Sequence, residues 1–198
     1  MRATIKRTRR ELIAGVGAAV VYAALPDGAV AAETTTKSDP ELLRGLLAVE
    51  LLLITVYRRV IATGLLSARV QRTAEHVLRQ EHVHARLLRR ELVARGGRPA
   101  PAVEGTDPLD RVLISLKVSG SLKQLHSEHD CVHLLLELET AAEGAYFKAI
   151  SQLHDVRLAH LAAQILGSEA QHQTAVSEAR RPGNAWQAAP SAFVKGKS

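Results

Sequence analysis

The chain has 198 residues, 46% of them hydrophobic and 3% aromatic, with a formal net charge of +6. That length supports one domain with a sizeable core, and the dispersed basic residues, with no aromatics among them, set nucleic acid aside as a partner. The single cysteine, Cys131, excludes an internal disulfide and a cysteine-rich zinc site.

Residues 1–31 have the three parts of an export signal. Arg2, Lys6, Arg7, Arg9 and Arg10 form its charged region. Leu12 to Leu25 form a mild apolar stretch, too short to span a bilayer, and Ala29-Val30-Ala31 offers small residues for cleavage. Thr8-Arg9-Arg10-Glu11-Leu12-Ile13 looks like a twin-arginine motif lacking the usual Phe and Lys; an ordinary Sec signal or a basic tail is the alternative. The expectation is a periplasmic or otherwise extracytoplasmic protein whose mature chain has no stable membrane span. Removing the signal leaves a charge of about +3. Residues 32–39 read as a polar linker.

The first helix is predicted from about Pro40 to Thr63, with Ser38 or Asp39 as N-cap and Gly64 as its stop. The second runs from about Ser67 to Ala94 and ends at Gly96-Gly97. Arg98 to Pro108 holds three prolines and is predicted to be irregular. A short helix at Leu109 to Val118 precedes the third long helix, Ser121 to Leu153. Asp155 caps the fourth, which runs to about Arg180 and stops at Pro182-Gly183. Residues 185–198 read as an irregular tail. Short connections make the first and second helices antiparallel, and likewise the third and fourth. The connection between the pairs is long enough to return along a helix of about 36 Å. The predicted fold is therefore all-α, a four-helix bundle over residues 40–184, with two antiparallel helix pairs joined by a long crossover.

One pattern occurs twice, about 88 residues apart. Glu50 is followed by Glu81-x-x-His84, and Glu139 by Glu169-x-x-His172, with intervals of 31 and 30 residues from the lone Glu. All six residues fall inside the apolar stripes of their helices, and those stripes contain no Lys or Arg. An unpaired buried carboxylate costs several kcal/mol even after relaxation. Four of them in one core call for cations, and two divalent metal ions balance their charge. Positions i and i+3 point the same way, so one Glu-x-x-His can clasp one ion. Roughly 0.6 Glu-x-x-His matches are expected by chance in this chain, so the force of the pattern lies in its repetition at equivalent places. The competing reading is a polar core held by its own hydrogen bonds.

These segments resemble the ferritin-like superfamily. LLAVELLLITVY and RQEHVHARLL in the first half, LLLELETAAEGAYFKAI and LGSEAQHQTAV in the second, and the Pro190-Ser191-Ala192-Phe193-Val194 tail are similar to exported bacterial ferritin-like proteins, a group related to plant desiccation-related proteins. The resemblance implies a ferritin-like four-helix bundle with a carboxylate-bridged dinuclear centre. Glu50 and Glu139 match its terminal carboxylates, Glu81 and Glu169 its bridging carboxylates, and His84 and His172 its nitrogen ligands. The metal it implies is iron, with manganese as the alternative. The chemistry it implies is oxidation of ferrous iron or scavenging of peroxide, with oxygen or peroxide as reactant. The alternative is a metal-binding or stress-protective bundle without turnover.

Several other residues are candidates for lesser roles. Tyr57 and Tyr146 each follow a lone Glu by seven residues and read as large core residues with one polar end; a hydrogen bond to a ligating Glu or an electron relay is the alternative. Glu143, one turn beyond Glu139, reads either as a second acid of the site or as a core residue bonded to one of the tyrosines. His126, His129 and His133 share a face that helical phase turns away from Glu139, a solvated face rather than a second metal site. His82 is expected to be exposed.

Overall fold

The computed structural model describes residues 37–183. The export signal, most of the linker and the tail read from the sequence lie outside the described residues. Five α-helices and one 3-10 turn make up the fold, and there is no strand among the described residues: α1 Asp39–Ala62, α2 Ala68–Ala94, α3 Thr106–Ser115, α4 Glu128–Ile150 and α5 Val156–Arg180, with the 3-10 turn at Leu122–Gln124. None of these helices is long and apolar enough to cross a membrane.

Local chemistry sets the helix ends. At α1, the Glu41 carboxylate accepts from the Ser38 backbone N–H at 2.8 Å and from its hydroxyl at 2.7 Å, half of a capping box. Gly64 and Gly96 follow α1 and α2 with φ of 69° and 74°, a left-handed turn that a side chain would resist. Asp155 caps α5 by accepting from the Arg157 N–H at 2.9 Å.

The region between α2 and α4 departs from the sequence reading in two places. The helix there begins at Thr106 rather than Leu109, because Pro108 occupies its first turn, where a missing N–H costs nothing. It ends at Ser115 in a Schellman turn, with Lys117 at φ 56° and the Val118 N–H donating to the Leu113 carbonyl at 3.0 Å. The third long helix begins at Glu128, seven residues later than expected. Asp110 of α3 holds residues 121–122 out of it, accepting from the Ser121 hydroxyl at 2.6 Å and the Leu122 N–H at 2.7 Å. Ser127 then starts α4 by accepting from the Asp130 N–H at 3.2 Å.

α1 packs on α2 and α4, and α5 packs on α4 and α2, so the four long helices form a closed circuit of neighbours. Their buried apolar residues fall into two clusters. One joins Leu53, Val56, Tyr57 and Val60 of α1 to Val70, Ala74 and Val77 of α2, the first half of α4 and Val176 and Ala179 of α5, and takes in Leu109 and Leu113 of α3. The other joins Leu43, Leu46 and Leu47 of α1 to Ala85, Leu88 and Leu92 of α2, Tyr146 and Ala149 of α4 and Leu158, Ala162 and Ile165 of α5. Along each long helix, a buried polar layer lies between these two clusters.

Candidate metal centre

The layer is built from the six residues of the repeated pattern. Glu50 comes from the middle of α1, Glu81 and His84 from α2, Glu139 from α4, and Glu169 and His172 from α5, and all six are buried. Each sits on the apolar stripe of its helix, so folding that buries the stripe carries the polar group inward. No Lys or Arg is buried among the described residues, so the only basic groups within the layer are the two histidines.

Two tyrosines reach across between α1 and α4. The Tyr57 hydroxyl of α1 donates to Glu139 Oε1 at 2.5 Å, and the Tyr146 hydroxyl of α4 donates to Glu50 Oε1. Each lone glutamate thus has one oxygen held and the other, Oε2, buried without a hydrogen-bond partner. On the opposite side the histidines reach between α2 and α5. His84 Nδ1 lies 2.9 Å from Glu169 Oε1, 3.3 Å from Glu81 Oε2 and 3.8 Å from Glu50 Oε2. His172 Nδ1 lies 2.8 Å from Glu81 Oε1, 3.5 Å from Glu169 Oε2 and 3.9 Å from Glu139 Oε2. The two rings stack with centroids 5.6 Å apart.

Two overlapping ligand groups result, Glu50, Glu81, His84 and Glu169 in one, and Glu81, Glu139, Glu169 and His172 in the other. Within each group the ligand atoms lie within 4.8 Å of one another, and Glu81 and Glu169 belong to both. Several of these close approaches are not aligned as hydrogen bonds. Glu81 Oε1, both oxygens of Glu169 and His172 Nδ1 are buried with no hydrogen-bond partner, as are Oε2 of Glu50 and of Glu139. Orphaned buried atoms carry a desolvation cost that a cation in their midst removes. A set of carboxylate and imidazole donors so arranged fits a divalent metal ion.

Without a metal the layer redistributes protons. Burial works against charge on His84, but the Glu169, Glu50 and Glu81 carboxylates outweigh it and push the ring up to about 12. Burial is likewise outweighed at His172, by Glu169 and Glu81, which push it up to about 9. Glu81 also resists burial, since His172 and His84 hold it down at about 2. Glu50 and Glu139 are raised well above the ordinary carboxyl value, first by burial and then, despite the helpful bonds from His84 and Tyr57, by the neighbouring Glu81 and Glu169 charges. Burial and the same glutamates raise both tyrosines, which keeps their hydroxyls protonated as donors.

All six residues read from the repeat are brought together. The tyrosines are large core residues, as read from the sequence, and their hydroxyls bond the two lone glutamates, in line with the alternative reading. Glu143 is buried beside the layer, where burial and the Glu169 charge raise it; its Oε1 has no hydrogen-bond partner, and it bonds neither tyrosine. His126, His129, His133 and His82 are exposed and belong to neither ligand group. Gln80 and Ser168 were not singled out from the sequence, yet both contact His172 Nε2, at 2.7 and 3.3 Å. Each stands immediately before the Glu of a Glu-x-x-His, but only for Ser168, four residues before His172, is that spacing a signal that could have found it; Gln80 reaches the ring from another helix.

A family model described as a ferritin-like domain matches residues 38–181. No curated protein and no solved structure matches the chain.

Proposed function

The chain belongs to the ferritin-like domain family, and from that membership we propose that it holds a carboxylate-bridged dinuclear metal centre in a four-helix bundle. The bundle consists of two antiparallel helix pairs, α1 with α2 and α4 with α5, and residues 95–127 form its crossover. Glu81 and Glu169 would be shared by the two ions, Glu50 and Glu139 would hold one each, and His84 and His172 would supply the nitrogen ligands. The observation that carries the reading is the set of buried donor atoms without hydrogen-bond partners, gathered in two groups that share Glu81 and Glu169. Carboxylate and imidazole donors suit iron, with manganese as the alternative.

The proposed activity is the oxidation of ferrous iron by oxygen or peroxide. Two ferrous ions supply two electrons, enough to reduce one peroxide to two waters with the uptake of two protons. This chain's part is to hold the ions close together, to neutralise them with four carboxylates and to keep bulk water out by burying every ligand. The tyrosines fix the outer carboxylates through Oε1, which leaves Oε2 of each without a hydrogen-bond partner and available to hold an ion.

A second reading has its own support. The two imidazolium rings neutralise carboxylates without any metal, so a purely polar core is electrostatically consistent. Metal analysis of protein purified from its native compartment separates the two. About two ions per chain is the expected result, and a clean protein with none overturns the metal centre. Oxygen or peroxide consumption on adding ferrous ion then separates turnover from metal binding alone.

We also propose that the protein is exported by the twin-arginine route, on the strength of Arg9 and Arg10 before a weakly apolar stretch. Replacing both with lysine is expected to abolish the mature form outside the cytoplasm. Undiminished export of that variant rules the route out.

A further inference from the structure

The two histidines are not held alike. Gln80 and Ser168 occupy equivalent places in the repeat, and each could bond the histidine four residues along its own helix. Ser168 does so, whereas Gln80 reaches across to the same ring, so both converge on His172. Its Nε2 lies 2.7 Å from Gln80 Oε1 and 3.3 Å from Ser168 Oγ, and the Ser168 hydroxyl donates to Gln80 Oε1 at 3.4 Å. On its other edge, the Gln80 amide nitrogen lies 2.7 Å from Nε2 of the exposed His76. An amide nitrogen only donates and an amide oxygen only accepts, so this placement makes Gln80 Oε1 the acceptor facing His172. A ring that gives up its Nδ1 proton to bind a metal then keeps the remaining one at Nε2, facing Gln80, and Nδ1 is the atom that is buried and unpartnered among Glu81, Glu139 and Glu169. His84 has no such anchor. Among the described residues its polar contacts all run through Nδ1, and its side chain is 9% exposed against 3% for His172.

We propose that Gln80 is the positioning residue for His172: by accepting a hydrogen bond from Nε2–H it holds Nδ1 toward the carboxylates, so the metal position at Glu139 and His172 is preformed and fills before the position at Glu50 and His84. The assignment rests on the dinuclear reading. It adds that the two positions differ, and that the difference originates in a neutral side chain outside the ligand set. A group that fixes a ligand's tautomer and ring orientation raises affinity without touching the ion.

Zinc is a suitable probe because it is diamagnetic. The parent protein is titrated with zinc chloride while the imidazole nitrogens are followed by nitrogen-15 NMR. The first equivalent is expected to ligate His172 through Nδ1 with the proton retained at Nε2, and His84 is expected to respond to the second. Gln80→Leu is expected to weaken the first event about 10–100-fold and to lose the fixed Nε2–H signature. Gln80→Glu, which keeps an oxygen acceptor, is expected to restore both. Parent-like affinity and ring signature in Gln80→Leu overturn the assignment. So does Gln80→Glu if it loses the Nε2–H signature, a result that stands even if the leucine variant fails to fold. A parent protein that takes up no zinc overturns the dinuclear reading itself, and that failure is visible before any substitution is made.

Discussion

Each of the two lone glutamates divides its oxygens, one held by a tyrosine from the neighbouring helix and the other turned to the shared volume. Glu81 and Glu169 have no tyrosine, and each takes part in both ligand groups. The difference makes a prediction about single substitutions. In the proposed dinuclear centre, losing a shared glutamate would remove a bond to each ion and the negative charge between them, whereas water could replace part of a terminal ligand. Glu81→Ala and Glu169→Ala are therefore expected to lose nearly all bound metal, and Glu50→Ala and Glu139→Ala to retain a fraction. Glu137→Ala, whose carboxylate instead accepts from Ser119, should keep the full metal-to-protein ratio. Equal ratios in all five variants would contradict the assignment. The convergence of the six residues in one buried layer was legible because the repeat places the same residue types at the same spacing twice. Gln80 was not, since its partner lies on another helix and depends on how α2 and α5 meet. The tyrosines were half legible: a spacing of seven fixes the face they share with a glutamate, but their hydroxyls bond the glutamate of the other half.

The four long helices were legible to within a residue or so at most of their ends, because caps and glycines mark them locally. The start of α4 was not. Residues 121–125 have helical composition, but Asp110 of α3 claims the Ser121 hydroxyl and the Leu122 N–H, a tertiary contact that overrides propensity. α3 itself inserts Leu109 and Leu113 into the cluster that contains Tyr57, the residue that orients Glu139. It is thus part of the core rather than a loose connection. Leu113→Ala is expected to lower unfolding free energy by about 2–5 kcal/mol in urea denaturation, with the metal-to-protein ratio at saturation unchanged. A loss below about 0.5 kcal/mol would show that α3 lies outside the cooperative core.

Over the whole molecule, the polar layer couples stability to pH. His84 and His172 rise from an ordinary 6.5 to about 12 and about 9, so the native state keeps protons that the unfolded chain releases. Their contribution is complete below about pH 6.5 and drains as pH climbs through the folded values. The raised Glu50 and Glu139 act in the same direction from 4.5 upward, while Glu81, at about 2, contributes above 4.5 and loses its share in acid. Metal requires bare nitrogens and ionised carboxylates, so its affinity rises with pH. The gap in Tm between metal-loaded and metal-free protein is expected to widen between about pH 6 and pH 9 in scanning calorimetry, because the metal-free form weakens while binding tightens. A narrowing gap over that window would contradict the picture. The crossed pairing of the histidines has a kinetic consequence as well. Each ligand group takes three residues from one half of the chain and its fourth, Glu169 or Glu81, from the other. Neither half can complete a group alone, so an ion can be captured only after the halves have docked. Ferrous or zinc ions should then leave the refolding rate nearly unaltered and slow unfolding in proportion to the stability they add, as stopped-flow traces with and without metal would reveal. Metal uptake would mark the last moment of folding, and the bound pair would lengthen the lifetime of the native state without guiding the path to it.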